Sequence, residues 1–198
     1  MKAYLLKVVC VLFVFIVTSF IGPNEKQVFN FTLRNINGKN VSTQDYNNAK
    51  GFIIVFTCNH CPFAKLYTNR LNDLNTKYSN LNVPLLAVNS MDTLLYEDET
   101  FELMQQKANK EKFNFPYLQD VTQSVGKQFD AKHTPMAFVI WKENNEWSIK
   151  YKGAIDDNGA HPKQATSYIS IAIDELLNGK SVSNSETESF GCSIFYRK

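Results

Sequence analysis

GFIIVFTCNHCP, residues 51–62, decides the fold. The run from Gly51 to Thr57 is continuous, β-branched and aromatic, which suits a strand buried on both faces. It ends in two cysteines separated by Asn59 and His60, and Pro62 then fits an early helix position, where a missing N–H costs nothing. Phe63, Tyr67, Leu71, Leu74, Tyr78 and Leu81 recur at spacings of three and four, with polar residues between them, and predict one amphipathic helix. Val83–Asn89 reads as a second buried strand. Residues 51–89 therefore form a strand–helix–strand unit, whose strands are parallel and whose crossover is right-handed.

Upstream, residues 28–41 alternate around Asn37-Gly38, a strong hairpin signal. Downstream, Glu97–Lys112 is expected to be helical, with Asp98 as its cap and Phe101, Met104 and Ala108 on a stripe that reads as packing rather than function. FPYL and a short helix near residues 121–129 lead to His133-Thr134-Pro135 and the strand 136–141. Asn144-Asn145 turns the chain into an antiparallel strand over 147–155. Asp156-Asp157 read as part of a solvated turn with Asn158-Gly159. A last helix spans about 163–178, stopping at Gly179. SVSNSETES, residues 181–189, is polar and linker-like, whereas FGCSIFYRK, residues 190–198, turns apolar and is expected to dock.

Of the 198 residues, 44% are hydrophobic and 20% charged, which excludes a disordered chain and a many-span membrane protein. Residues 1–22 carry Lys2 and Lys7 ahead of an apolar run and read as a signal peptide or an uncleaved membrane anchor, either of which exports the rest. Without those two lysines the charges stand at 19 of each sign, so no basic surplus argues for nucleic acid. Residues 27–178 form one domain and 179–198 a tail. Export puts Cys58, Cys61 and Cys192 in a compartment where disulfides persist.

Cys58 and Cys61 fall at a helix N-terminus, where free N–H groups and the helix dipole favour an anion. The expectation is that Cys58 is the thiolate, tuned by Asn59 and His60, and that Cys61 is the resolving thiol. A structural disulfide is an alternative, although so short a loop gains little chain entropy. Zinc would need Cys58 and Cys61 completed from His133, His161 and Cys192. Haem attachment is excluded because Pro62 stands where the histidine would be. Cys58, Cys61 and His133 would also make a soft copper(I) set. Cys192 is either a buried free thiol or, if the tail folds back, a third thiol.

Taken together, these motifs resemble the thioredoxin-like redoxins, in particular exported thiol-disulfide proteins related to alkyl hydroperoxide reductase and thiol-specific antioxidant. The resemblance covers roughly residues 27–178. It implies an α/β thioredoxin fold: a central mixed sheet flanked by helices, with an N-terminal hairpin and an inserted helix. It also implies a cis Thr134-Pro135 bond beside the dithiol, and a groove of Thr134, Pro135, Gly153 and Ala154 that pairs with an extended substrate. The activity implied is disulfide exchange with protein substrates and an unidentified electron donor or acceptor, in the periplasm or another extracytoplasmic space, without cofactor or metal. The alternatives are a peroxiredoxin-like peroxidase and a thioredoxin-fold copper(I) chaperone. Three departures stand out. Phe52–Phe56 lack the buried acid of thioredoxins. Thr57 replaces the tryptophan before the dithiol. Val55 replaces the peroxidase threonine, leaving Arg34, Arg70 and Arg197 as the only arginines.

Overall fold

The run at 51–56 forms a strand whose six residues are all buried, and the rest of the fold is arranged around it. The structure is a computed structural model describing residues 27–28 and 30–198; the expected leader lies outside the described residues. Ten strands occur among the described residues: β1 (Gln27–Val28), β2 (Thr32–Asn35), β3 (Asn40–Ser42), β4 (Gly51–Phe56), β5 (Leu85–Asn89), β6 (Tyr117–Gln119), β7 (His133–Thr134), β8 (Met136–Glu143), β9 (Glu146–Gly153) and β10 (Cys192–Ser193). The helices are α1 (Pro62–Lys65), α2 (Thr68–Tyr78), α3 (Phe101–Lys110), α4 (Ser124–Phe129) and α5 (Tyr168–Leu177). Eight strands make one mixed sheet in the order β1-β9-β8-β4-β5-β6-β2-β3, and β10 pairs with β7 apart from it. β4, β5 and β6 are parallel, and β8 runs antiparallel to β4. This is a thioredoxin-like α/β fold, with the expected hairpin and inserted helix.

One hydrophobic cluster lies under each face of the sheet. Ile53, Val55, Leu71, Leu74, Tyr78, Met104, Ile169 and Ile173 share the first, and Phe52, Phe56, Phe129 and Phe138 share the second with both central cysteines. Alternate β4 residues supply opposite faces, as the pleat requires.

Several elements differ from expectation. Gln27 and Val28 pair with β9 at one edge, whereas the hairpin of β2 and β3, closed by Gly38 at φ +82°, forms the other. The long helix breaks between α1 and α2. The break sends Phe63 to the surface, and Leu81 is also exposed, while Tyr67, Leu71, Leu74 and Tyr78 stay buried. Thr100, not Asp98, caps α3, its Oγ1 accepting from the Leu103 N–H at 3.4 Å, because Glu97–Glu99 form a separate 3-10 turn. Asp156 is buried rather than solvated. It pairs with Arg70 and accepts from the Tyr67 hydroxyl at 3.2 Å. Among the described residues no helix is long and apolar enough to cross a membrane.

Candidate active site

β4 delivers Thr57 and then Cys58 to the end of the sheet, and Cys61 stands at the N-cap of α1. Both central cysteines are 0% exposed, and all three cysteines of the described chain are free thiols. Thr134 faces them from β7, and its bond to Pro135 is cis. Thr134 Oγ1 lies 3.0 Å from Cys58 Sγ, and the Thr134 carbonyl oxygen lies 3.0 Å from Cys61 Sγ.

The polypeptide amides that were expected to favour a Cys58 anion are occupied by a carboxylate. Glu99, 1% exposed, accepts from the N–H groups of Asn59 and His60 at 2.9 Å, from the His60 ring at 2.6 Å and from Asn89 Nδ2 at 2.6 Å. Asn59 is further held by the Asp98 carbonyl at 2.7 Å and by the Tyr117 hydroxyl, which donates to its Oδ1 at 3.0 Å. His60 stacks on Tyr96 with ring centroids 4.7 Å apart. Lys107, on α3, donates to the Cys58 carbonyl at 2.7 Å. Burial draws its pKa down.

The charge of the dithiol is therefore distributed otherwise than expected. Cys58 is pushed up, first because its thiol hydrogen-bonds to Cys61, then by burial and by the neighbouring Glu99. Cys61 is drawn down to about 4, chiefly by that same hydrogen bond, with help from the side chain of Cys192 and the N–H groups of Ala64 and Cys192. The Thr134 carbonyl asks for a proton on Cys61, but more donors converge there than acceptors. Within the reduced pair the proton is thus held more firmly by Cys58 and given up more readily by Cys61.

The inserted segment read as mere packing supplies Glu99, Tyr96, Lys107 and the Asp98 carbonyl. Glu99 was missed. Its only sequence signal is an acidic run, Glu97-Asp98-Glu99, in which nothing marks the third member as the buried one. The ligand atoms of Cys58, His60 and Glu99 lie within 4.8 Å of one another, a set that could hold a metal ion. His133, expected in a copper set, is not part of it; its backbone pairs with Ser193.

Pro135 and Ala154 line one pocket with Phe190 of the chain's own tail, and the tail also lies against Thr134 and Gly153. Cys192 pairs with Thr134 in the β10–β7 ladder. Gly153, at φ +144°, backs onto Thr187, whose Oγ1 accepts from the Ala154 N–H at 3.0 Å. Ser185 and Thr187 hydrogen-bond through their backbones with Lys152 at 3.0 Å, so residues 185–187 are bound to the β9 edge and do not act as a linker. Arg34 lies over the Phe101 ring, Arg70 holds Asp156, and Arg197 meets Asp92 at 3.3 Å. Each arginine is engaged away from the sulfurs.

Residues 25–152 match the sequence profile of the AhpC/TSA family. No curated protein is significantly similar in sequence. An uncharacterized conserved protein from Geobacillus kaustophilus is 33% identical, with a TM-score of 0.79 over 88% of this chain and 93% of its own. A hypothetical protein from Sinorhizobium meliloti 1021 is 27% identical, with a TM-score of 0.79 over 87% of this chain and 94% of its own. A thiol-disulfide oxidoreductase from Bacteroides fragilis shares the fold at 18% identity, with a TM-score of 0.54 over 70% of this chain and 96% of its own.

Proposed function

Because this chain belongs to the AhpC/TSA family, we propose that it is an exported thiol-disulfide oxidoreductase that exchanges disulfides with protein substrates through Cys58 and Cys61. The observation that carries the reading is the meeting of two buried cysteine sulfurs at Thr134, each 3.0 Å from one of its oxygens, beside a cis-proline. A dithiol poised with one thiolate and one thiol is ready for exchange at neutral pH, since the thiolate attacks and the thiol waits. In the reducing direction, Cys61 attacks the disulfide presented to it and forms a mixed disulfide as the first thiolate leaves. Cys58 then gives up its proton and displaces the second. His60, held by Glu99 at 2.6 Å and within 4.8 Å of Cys58, is placed to receive that proton, the task the buried acid performs in thioredoxins. The oxidising direction runs the same steps backwards. Exchange is favoured over peroxidase chemistry because all three arginines are committed elsewhere.

The test is turnover of the full chain, with insulin as the disulfide and dithiothreitol as the reductant. Both Cys58→Ser and Cys61→Ser should lose turnover, and with Cys192 also changed to Ser, Cys58→Ser should hold more substrate in mixed disulfide, on Cys61, than Cys61→Ser holds on Cys58. No turnover with insulin, together with none in reoxidation of reduced ribonuclease, would sink the proposal. Hydroperoxide consumption should not exceed that of Cys58→Ser. Glu99→Gln places an amide donor against the backbone N–H groups that the carboxylate accepts, so a loss of about 1–3 kcal/mol in urea stability is expected. The same change should lower the pH at which Cys58 ionises, read as thiolate absorbance, because the anion opposing it is gone.

A further inference from the structure

Cys58 and Cys61 are both 0% exposed, so an incoming protein disulfide cannot touch either one while the tail is in place. The segment that covers them itself carries a thiol. Cys192 is half-buried, and its thiol is close enough to Cys61 for each to shift the other's ionisation. It is held there on purpose-built backbone. Cys192 pairs with Thr134, and Gly191 fits only because it has no side chain, since a Cβ would lie 2.1 Å from the Thr134 oxygen. The segment is pinned on both sides. Upstream, Thr187 is bound to Lys152 and Ala154. Downstream, the Ile194 N–H donates to the Lys132 carbonyl at 2.9 Å and the Tyr196 hydroxyl to the Ala131 carbonyl at 2.7 Å. The extended tail thus pairs with Thr134 as a strand, where the resemblance places an extended substrate, and sets a cysteine opposite Thr134.

We propose that Cys192 is the third redox thiol of this protein, a relay that carries the disulfide between the buried Cys58–Cys61 pair and external protein partners. The inference rests on the exchange reading above, whose partner disulfide supplies the oxidised pair. Cys192, whose thiol is pushed up to about 11 by burial and by Cys61 while the pair is reduced, loses its proton to water once Cys61 is oxidised, and its thiolate attacks Cys61 Sγ. The Cys61–Cys192 bond forms as the Cys58–Cys61 bond breaks, and Cys58 leaves as a thiolate that takes a proton from the His60 ring, which is refilled from water. No electron enters or leaves. The disulfide has moved from two unexposed sulfurs to a pair with one accessible member. An external thiol then attacks Cys192, and Cys61, the more acidic sulfur, is the better leaving group. In the opposite sense, a partner's disulfide is met first by Cys192 and passed inward.

The full chain, reduced and then treated with one equivalent of oxidised glutathione, is quenched in acid, alkylated and mapped as peptides without reduction. A Cys61–Cys192 linked peptide is expected beside the Cys58–Cys61 one. In Cys58→Ser the same treatment should yield the Cys61–Cys192 link with a mass lower by two hydrogens. Cys192→Ser keeps the β10 backbone and Gly191, and should slow exchange with insulin by about tenfold or more. The relay is overturned if Cys192 is alkylated in every wild-type molecule and Cys58→Ser retains glutathione on Cys61. It is overturned equally if Cys192→Ser exchanges at the wild-type rate. Absence of insulin turnover in the wild type tells against the exchange reading instead, and the peptide map still decides the relay.

Discussion

Glu99 and Cys61 change what the CxxC sequence means at the scale of single residues. A helix N-terminus favours an anion, and the expectation that Cys58 would be that anion follows from sequence position alone. A carboxylate reaching in from a remote segment takes the same N–H groups, and the hydrogen bond to Cys61, burial and then this neighbouring anion hold the proton on Cys58. The consequence is measurable in the redox potential. With Cys61 ionised above a pKa of about 4 and Cys58 held neutral, reduction takes up one proton for two electrons. The midpoint potential should then fall by about 30 mV per pH unit between pH 5 and 8, against about 59 for a dithiol that takes up two. A slope near the larger value, from redox equilibration with glutathione buffers, would show that Cys61 is protonated. The two cysteines that meet at Thr134 were legible in the sequence. Their charge was not, because it depends on a contact between residues 40 apart.

The elements that build the site are a strand, a broken helix, an inserted segment and a tail. The first was written in local composition, since GFIIVF has no polar face to show water. The break between α1 and α2 was not, because the apolar spacing of Phe63, Tyr67 and Leu71 continues through it, and only burial of Tyr67 against Asp156 and Arg70 distinguishes the two halves. The tail misled in a different way. A polar stretch such as SVSNSETES has no periodicity, yet its backbone can still satisfy a sheet edge, as Ser185 and Thr187 do at Lys152. Gly191 makes the role of this element testable. In Gly191→Ala the added methyl cannot coexist with the Thr134 carbonyl, so β10 should leave β7. Iodoacetamide should then modify the central cysteines about tenfold faster, the factor corresponding to roughly 1.4 kcal/mol of lost docking. An unchanged rate would mean that the tail does not control access.

Across the whole molecule, the dithiol couples redox state to stability. Cys61 has a folded pKa below its unfolded value of about 8.5, so its contribution to stability is full above that value and is lost as pH falls toward about 4. Cys58, raised in the folded state, is neutral in both states over that range and begins to oppose folding only in more alkaline solution. The urea midpoint of the reduced chain should therefore rise, relative to the oxidised chain, as pH goes from 5 to 8. A constant difference would mean that neither sulfur is ionised. The sequence by itself determined the buried parallel core, the family and the two central cysteines, because these follow from local composition and short spacings, which water and the backbone read without help. Only the tertiary structure decided which sulfur bears the charge, which acid sits behind it and what lies over the groove. Those depend on close approach between segments far apart in the chain, where burial strengthens each contact and the intervening sequence leaves no local sign of it.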